Sequence, residues 1–197
     1  LEEAEAAAQE MPAPNRRALE LQYIQRQWAE AFSAKQDAPS DSDEDMQVRW
    51  MALPDDATLD ADMSGAESGH VGQVGAGLMS MRRAIVMGDS AREVAESVWS
   101  ALDVLMQSAL NDPTKPLPII IDLAKWTDET QPLDAFVQTQ LGELSDYWRS
   151  LLDQRRAALL FTGFDGASAP QRAARASAVE AFLRQHPELL VLVALQQ

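Results

Sequence analysis

The sequence predicts an α/β domain whose mostly parallel sheet lies in a three-layer arrangement, preceded by an N-terminal helical arm. From residue 84 onward, short apolar segments alternate with segments of helical spacing, which is the order of strand–helix–strand units. The short segments are apolar at every position, as strands are when helices cover both faces of their sheet. Helical connections between successive strands imply right-handed crossovers and hence parallel strands.

Residues 1–36 are predicted to form the helical arm. A helix is expected from about residue 16 to 36, because apolar side chains recur there at three- and four-residue spacing. The apolar stripe consists of Leu19, Tyr23, Trp28 and Phe32. It can pack on the following domain or on a partner, and the sequence leaves both open.

Residues 37–77 are predicted to be an acidic, Gly-rich linker. Ten acidic residues and one basic residue lie between Asp37 and Glu67, a pattern typical of solvated chain. One short strand is expected at 48–53. Residues 54–77 contain five glycines, which predicts a long mobile loop.

The α/β domain is predicted to occupy residues 78–197. The expected elements are strand 84–87, helix 90–110, strand 118–123, helix 132–155, strand 157–162, helix 169–185 and strand 189–194. The chain begins at Leu1 and ends just after an apolar run. We therefore interpret it as a piece of a longer protein, with the domain truncated at its C-terminus.

Composition and charge exclude several kinds of partner. Hydrophobic residues make up 46% of the 197 residues and charged residues 24%, as in ordinary folded domains. The formal net charge of −15 argues against nucleic acid and against anionic membrane surfaces, because both attract Lys and Arg. No segment approaches the roughly 18 consecutive apolar residues of a membrane span, and no secretory leader is visible.

Cysteine and histidine usage limits the chemistry further. The chain has no Cys, which removes disulfides, thiolate metal sites and Cys nucleophiles. His70 and His186 are the only histidines, so neither a Ser-His-Asp triad nor a His-rich metal site is expected. Without a leader, a cytoplasmic location is the default prediction.

The first place to look for a ligand site is the stretch from Gly88 to Ala95, since ligands of open α/β sheets bind at the carboxyl ends of strands. A phosphate-binding loop follows the pattern G-x-x-x-x-G-K-[ST], whose Lys reaches the phosphates and whose hydroxyl binds Mg²⁺. Here Glu93, Val94 and Ala95 stand at the Gly, Lys and Ser/Thr positions. Asp89 and Glu93 would repel phosphate, and like charges ~4 Å apart near a surface repel by about 4 kcal/mol. A helix cap formed by Asp89 or Ser90, with Glu93 complementing the helix dipole, suits these residues better.

The other two strand ends also lack catalytic groups. Thr162 closes strand 157–162 where an NTPase has a carboxylate for Mg²⁺, and Asp165 is interpreted as a turn or cap residue. Ala194 and Leu195, at the end of the last strand, cannot sense a phosphate. No catalytic residue, metal ligand or cofactor is therefore expected.

These segments, in this order, resemble the NACHT-type branch of the STAND signalling NTPases. "RRAIVMGDSAREVAESVWSAL" (82–102) looks like that family's Walker A unit, and "RRAALLFTGFDGA" (155–167) is similar to its Walker B segment. The degenerate Walker A positions are Gly88, Glu93, Val94 and Ala95; the degenerate Walker B positions are Thr162, Asp165 and Gly166. "PLPIIIDLAKW" (116–126), "FLRQHPELLVLVALQQ" (182–197) and "VRWMALP" (48–54) resemble the second strand, the segment leading to the first sensor and a short preceding strand.

The resemblance implies a P-loop NTPase-like fold over about 48–197, without the family's ATP binding and switching, because the residues that perform them are replaced. It predicts a pseudo-NTPase, not an enzyme: an interaction and signalling module of a larger, defence-type protein. The expected partner is another protein or another domain of the same longer chain, and self-association stays open.

Two alternatives remain at this point: a residual nucleotide binder without hydrolysis, and an unrelated flavodoxin- or receiver-like domain. Strand order separates the NACHT-like and flavodoxin-like arrangements. The NACHT-like order puts strand 189–194 beside 84–87, with 157–162 next and 118–123 last. A flavodoxin-like order puts 84–87 directly beside 118–123.

Overall fold

The computed structural model describes residues 13–36, 46–53, 59, 65–128, 130–165 and 167–196. The chain divides into two compact units, Leu1–Pro39 and Ser40–Gln197.

The first unit contains one described helix, α1, at Ala13–Gln36. The predicted arm helix is confirmed, and it begins three residues earlier than expected. Within the apolar stripe Tyr23 is buried and Leu19 is half-buried, whereas Trp28 is 39% exposed. The side chain of Phe32 lies outside the described residues.

The second unit is built on a six-stranded sheet. Its strands are β1 (Gln47–Ala52), β2 (Glu67–His70), β3 (Arg83–Gly88), β4 (Leu117–Asp122), β5 (Ala157–Thr162) and β6 (Leu190–Gln196). The order across the sheet is β2-β1-β3-β6-β5-β4. Strands β3, β6, β5 and β4 are parallel, while β1 is antiparallel to both β2 and β3. The predicted α/β class with a mostly parallel sheet is confirmed.

Strand order distinguishes the arrangements that the sequence left open. Strand β6 lies between β3 and β5, and two strands separate β3 from β4. A flavodoxin-like sheet requires β3 to pair with β4, so that order is excluded. The other edge of β3 is occupied by β1, so a further parallel strand cannot pair with β3 there unless β1 leaves.

Five helices of the second unit connect the strands. They are α2 (Val74–Met81), α3 (Ala91–Asn111), α4 (Leu133–Gln140), α5 (Trp148–Asp153) and α6 (Ala169–Gln185). The arrangement is compatible with three layers. None of the helices in the described part of the chain combines the length and apolarity that a bilayer-spanning segment requires.

The central strands and α3 supply much of the core. Val86, Phe161 and Val193 in the sheet have no exposed surface, and burial of one such side chain contributes roughly 1.5–3 kcal/mol. Helix α3 buries the predicted stripe at three- and four-residue spacing: Val94, Val98, Leu102 and Leu105. These contacts fix the helix that begins at the carboxyl end of β3.

The predicted helix 132–155 is wrong in one respect, because it is interrupted. Helix α4 ends at Gln140, a 3-10 segment spans Gly142–Tyr147, and α5 follows. Gly142 has a φ of 56°, a left-handed conformation that glycine adopts at little cost and that ends an α-helix. The indole of Trp148 donates a hydrogen bond to Asp134 and so ties α5 to α4.

The predicted loop 54–77 is also wrong over its second half, which contains β2, a 3-10 turn at Val71–Gln73 and the start of α2. Two of its five glycines, Gly69 and Gly75, serve close packing. A Cβ on Gly69 would come within 2.5 Å of Trp50 Cη2, and one on Gly75 within 2.6 Å of the Ser100 carbonyl oxygen. The glycine content therefore predicted a mobile loop, whereas the chain around Gly69 and Gly75 is tightly packed.

One residue of the first half of that stretch is described. Leu59 is buried, and its N–H donates a hydrogen bond to Glu180 Oε1 on α6 at 2.7 Å. Residues 37–45, 54–58 and 60–64 lie outside the described residues, so the solvated acidic linker stays a prediction there.

Both edges of the described sheet are poor templates for an added strand. In β4 the Leu117 N–H points toward β5 and donates to the Arg156 carbonyl. Because backbone N–H groups alternate in direction along a strand, residue 118 faces the open edge. That residue is Pro118, which has no N–H to offer an added strand. At the other edge, the outward N–H of His70 in β2 donates to Gln73 Oε1 at 3.3 Å. Short or donor-poor edges of this kind protect sheets from edge-to-edge pairing.

Two glycines of α2 provide a matched test of this packing. Gly77→Ala should raise the free energy of unfolding by roughly 0.5–1 kcal/mol, because a Cβ there meets no atom within 4 Å and Ala is the better helix former. Gly75→Ala should lower it by roughly 1–3 kcal/mol, because the new methyl overlaps the backbone of α3. Urea unfolding of both variants measures the difference; equal effects would contradict the close contact between α2 and α3.

Candidate functional site

The candidate site is the edge of the sheet where the parallel strands β3, β6, β5 and β4 end. Ligands of open parallel sheets bind at such carboxyl edges. The segments that follow the strands lie at this edge: 89–90 after β3, 123–128 after β4, and 163–165 with 167–168 after β5.

The loop after β3 is closed by the carboxylate of Glu93. Its Oε2 accepts hydrogen bonds from the backbone N–H groups of Asp89 at 2.7 Å and Ser90 at 3.0 Å. The Ser90 hydroxyl accepts in turn from the Glu93 N–H at 3.2 Å, which completes a capping box with Ser90 as the N-cap residue. Backbone N–H groups before a helix are what a phosphate would need, and here a side chain of the same helix uses two of them.

The other phosphate-loop positions serve packing. A Cβ on Gly88 would lie 2.9 Å from Glu93 Cβ and 3.1 Å from the Val94 nitrogen, so glycine allows the helix to start close to the strand. Val94, at the position of the phosphate-binding Lys, is buried in the core, and Ala95 is half-buried. No side chain at these positions reaches toward a ligand as a cation or a hydroxyl would.

The ends of β4 and β5 are packed against each other. Gly163, which follows β5, has a φ of 78° and has no room for a Cβ, which would meet Asp122 and come within 2.6 Å of the Ala124 nitrogen. Asp122 Oδ1 accepts a hydrogen bond from that Ala124 N–H at 3.1 Å. Lys125 Nζ lies 3.8 Å from Asp122 Oδ2. The Asp122 carboxylate is therefore engaged by its own loop.

The degenerate Walker B positions are engaged in a similar way. Asp165 Oδ1 accepts a hydrogen bond from the Gln196 N–H at 3.1 Å, which ties the loop after β5 to the end of β6. Thr162 is half-buried, and Gly166 lies outside the described residues. Asp165 lies in a turn, but its described side-chain hydrogen bond reaches the end of β6 and caps no helix, so its interpretation as a turn or cap residue stays a prediction.

The buried guanidinium of Arg175 lies next to the loops after β4 and β5, and its burial was not predicted from the sequence. Arg175 on α6 is 5% exposed; it donates from Nη1 to the Gly163 carbonyl at 3.2 Å and from Nη2 to the Trp126 carbonyl at 3.3 Å. Arginine is mostly exposed in folded proteins, and α6 is exposed at every residue from 169 to 174. No sequence signal distinguished Arg175 from its exposed neighbours.

The described carboxylates at this edge are not grouped as the ligands of a metal ion. Among the described residues, no group of three or more His, Cys, Asp or Glu side chains is arranged to hold one. The hydroxyl and N–H of Thr130 hold the pKa of the exposed Asp128 carboxyl below its ordinary value, through a side-chain and then a backbone hydrogen bond. A backbone N–H donates to each of four carboxylates at this edge: those of Glu93, Asp122, Asp128 and Asp165.

No protein-family model, curated protein or solved structure gives a significant match to this chain.

Replacement of Glu93 tests whether its carboxylate holds the loop. Glu93→Ala should lower the free energy of unfolding by roughly 0.5–2 kcal/mol, the usual effect of losing a helix cap. Glu93→Gln should lower it much less, because an amide oxygen still accepts the two N–H groups. Urea unfolding compares the two variants, and an equal loss in both would contradict the hydrogen-bonding role.

Proposed function

We propose that this domain is a non-catalytic, P-loop NTPase-like scaffold of the NACHT/STAND type that works through protein contact. The observation that carries the proposal is the Glu93 carboxylate on the Asp89 and Ser90 N–H groups. A nucleotide phosphate would have to displace this carboxylate from the two N–H groups. The displaced carboxylate would still lie near the phosphate, and the two negative charges would repel each other. The loop therefore disfavours a triphosphate through both geometry and charge.

Strand order supports the P-loop-like part of the proposal. Strand β6 inserted between β3 and β5, with β4 outermost, is the order that the resemblance implies. Gly88 ends β3 two residues before the N-cap Ser90 of α3, at the position of the first glycine of a phosphate loop. The strand order and the position of Gly88 agree with the resemblance, whereas the side chains that bind and hydrolyse nucleotide in that family are replaced.

The groups around β5 support the absence of hydrolysis. Thr162 stands where a Mg²⁺-organising carboxylate is needed, and Asp165 is engaged by the Gln196 N–H. The buried guanidinium of Arg175 donates to the Gly163 carbonyl, directly after Thr162. A fixed positive charge at this point opposes a divalent cation.

Protein contact is the remaining role for such a scaffold. Because the outward edges of β2 and β4 are poor templates for strand addition, we expect helices and loops to make the contact with another protein or another domain of the same chain. Trp28 on α1, 39% exposed, is one apolar side chain available for it. The net charge of −15 disfavours nucleic acid, and we propose a cytoplasmic location.

Nucleotide titration tests the proposal. Isothermal titration of the folded chain with ATP and with ADP, each with excess Mg²⁺ at millimolar concentration, should give no saturable heat, because the loop amides are occupied. Circular dichroism before and after each titration verifies that the sample is folded. Saturable binding at micromolar concentration would contradict the proposal and favour the residual nucleotide binder.

A partial restoration of the phosphate-loop sequence should not create ATPase activity. The double variant Glu93→Gly with Val94→Lys restores two consensus residues, but Thr162 and Gly166 still lack the acidic groups that hydrolysis needs. Phosphate release from ATP should stay at the level of a buffer blank. Turnover above that blank would show that the missing carboxylates are not limiting.

A further inference from the structure

The amino edge of the sheet, where the parallel strands β3, β6, β5 and β4 begin, carries an excess of positive charge. The segments that lead into these strands are 82–83, 112–116, 153–156 and 184–189. Six cationic side chains lie in them: Arg82, Arg83, Lys115, Arg155, Arg156 and Arg184. Three acidic side chains lie there as well: Asp112, Asp153 and Glu188. This edge is therefore positive, whereas the whole chain has a net charge of −15.

Four of these cations are exposed, and we call them the amino-edge patch: Arg82, Lys115, Arg155 and Arg184. None of the described residues forms an ion pair with Arg155 or Arg184. The Asp112 carboxylate accepts hydrogen bonds from the hydroxyl and the N–H of Thr114, at 2.6 and 2.9 Å, so it is engaged within its own turn. The patch therefore presents positive charge to the solvent.

Two residues of the patch have a backbone conformation that favours glycine. Arg82 has a φ of 66° and Arg155 a φ of 55°, the two positive φ values of non-glycine residues in the described part of the chain. Each ends a helix: the Arg82 N–H donates to the Leu78 carbonyl at 2.8 Å, and the Arg155 N–H to the Leu152 carbonyl at 2.9 Å. Glycine is the usual residue at this position, because a side chain there raises the energy of the backbone.

The side chain of Arg82 offsets part of that cost, whereas the side chain of Arg155 does not. Arg82 Nη2 donates to the Glu188 carbonyl at 2.6 Å, but the Arg155 guanidinium bonds to none of the described residues. The dipole of α5, a helix of six residues, favours a cation after its end and offsets part of the cost. An exposed arginine without a partner, at a position suited to glycine, indicates a role outside folding.

The spacing of the patch indicates the shape of what it binds. Neighbouring strands of a sheet lie about 4.8 Å apart, so the starts of β3 and β4, three spacings apart, are separated by about 14 Å. Cations spread over this distance do not converge on a single small anion. An extended peptide covers it with four or five residues, at about 3.3 Å for each. Several carboxylates along such a peptide can each lie near one cation.

We propose that the amino-edge patch binds an acidic peptide segment of a protein partner. The inference rests on the proposed contact function and names the class of partner. Carboxylates form charge-assisted hydrogen bonds with arginine, often through two parallel N–H groups. A nucleic acid or an anionic membrane is wider than the patch and would also meet Asp153, Glu188 and the negative surface around them. The carboxylates of the opposite edge lie about 20 Å away, one strand length, so salt screens them from the patch.

Fluorescence anisotropy of a labelled hexaglutamate peptide tests the proposal on the full chain. At low salt the peptide should bind saturably, and a tenfold increase in NaCl should weaken binding strongly, because exposed charges are screened. Arg155→Glu should weaken binding by roughly threefold to tenfold, the effect of losing one exposed ion pair and adding a repulsion. Lys125→Glu makes the same charge change on an exposed lysine at the carboxyl edge, and it should change the dissociation constant by less than about twofold.

The variant Arg155→Gly separates binding from folding. Glycine adopts the left-handed conformation at little cost, so the Tm of Arg155→Gly should be higher than that of the unmodified chain. Hexaglutamate binding should nevertheless weaken by roughly twofold to fivefold, because one cation is lost. A variant that is more stable and binds less well cannot have lost binding through unfolding.

Four results would overturn the proposal. The first is the absence of saturable hexaglutamate binding at low salt. The second is an equal loss of binding in Arg155→Glu and Lys125→Glu, and the third is unchanged binding in a more stable Arg155→Gly, which would make the arginine a helix end only. The fourth is tighter binding of a labelled DNA oligonucleotide or of phosphatidylserine vesicles than of hexaglutamate. Nucleotide titration concerns the opposite edge of the sheet, so failure of the peptide test and failure of the proposed function are distinguishable.

Discussion

The hydrogen bonds from the Asp89 and Ser90 N–H groups to the Glu93 carboxylate are the constraint on which the rest of the carboxyl edge depends. They fix the chain at the junction of β3 and α3, where the helix begins close enough to the strand that only glycine fits at position 88. They also turn an anion-binding geometry into a closed, internally satisfied cap. Under the proposed function, this junction carries its own anion and the neighbouring loops have no phosphate to organise.

The neighbouring loops follow the same principle. Asp122 Oδ1 accepts the Ala124 N–H within its own loop, and Asp165 Oδ1 accepts the Gln196 N–H and so joins the loop after β5 to β6. Arg175 on α6 donates hydrogen bonds to carbonyl groups of the loops after β4 and β5. The edge that holds ligands in other parallel sheets is here held together by its own carboxylates and one buried guanidinium.

Much of the second unit could be predicted because continuous apolar runs and helical periodicity are local signals. Strand 157–162 and helix 169–185 have the predicted bounds, and the other predicted strands differ by one or two residues, whereas β2 was not predicted. The break in helix 132–155 depends on one left-handed glycine, Gly142. Contacts between distant residues gave no local signal: the buried Arg175 and the bond from Leu59 to Glu180 depend on tertiary packing alone.

Crystals of the chain grown with excess ATP and Mg²⁺ test the central claim most directly. The account predicts that the electron density of Glu93 stays within hydrogen-bond distance of the Asp89 and Ser90 nitrogens, with no phosphate beside them. Phosphate density on those two nitrogens, with the Glu93 side chain rotated away, would contradict it.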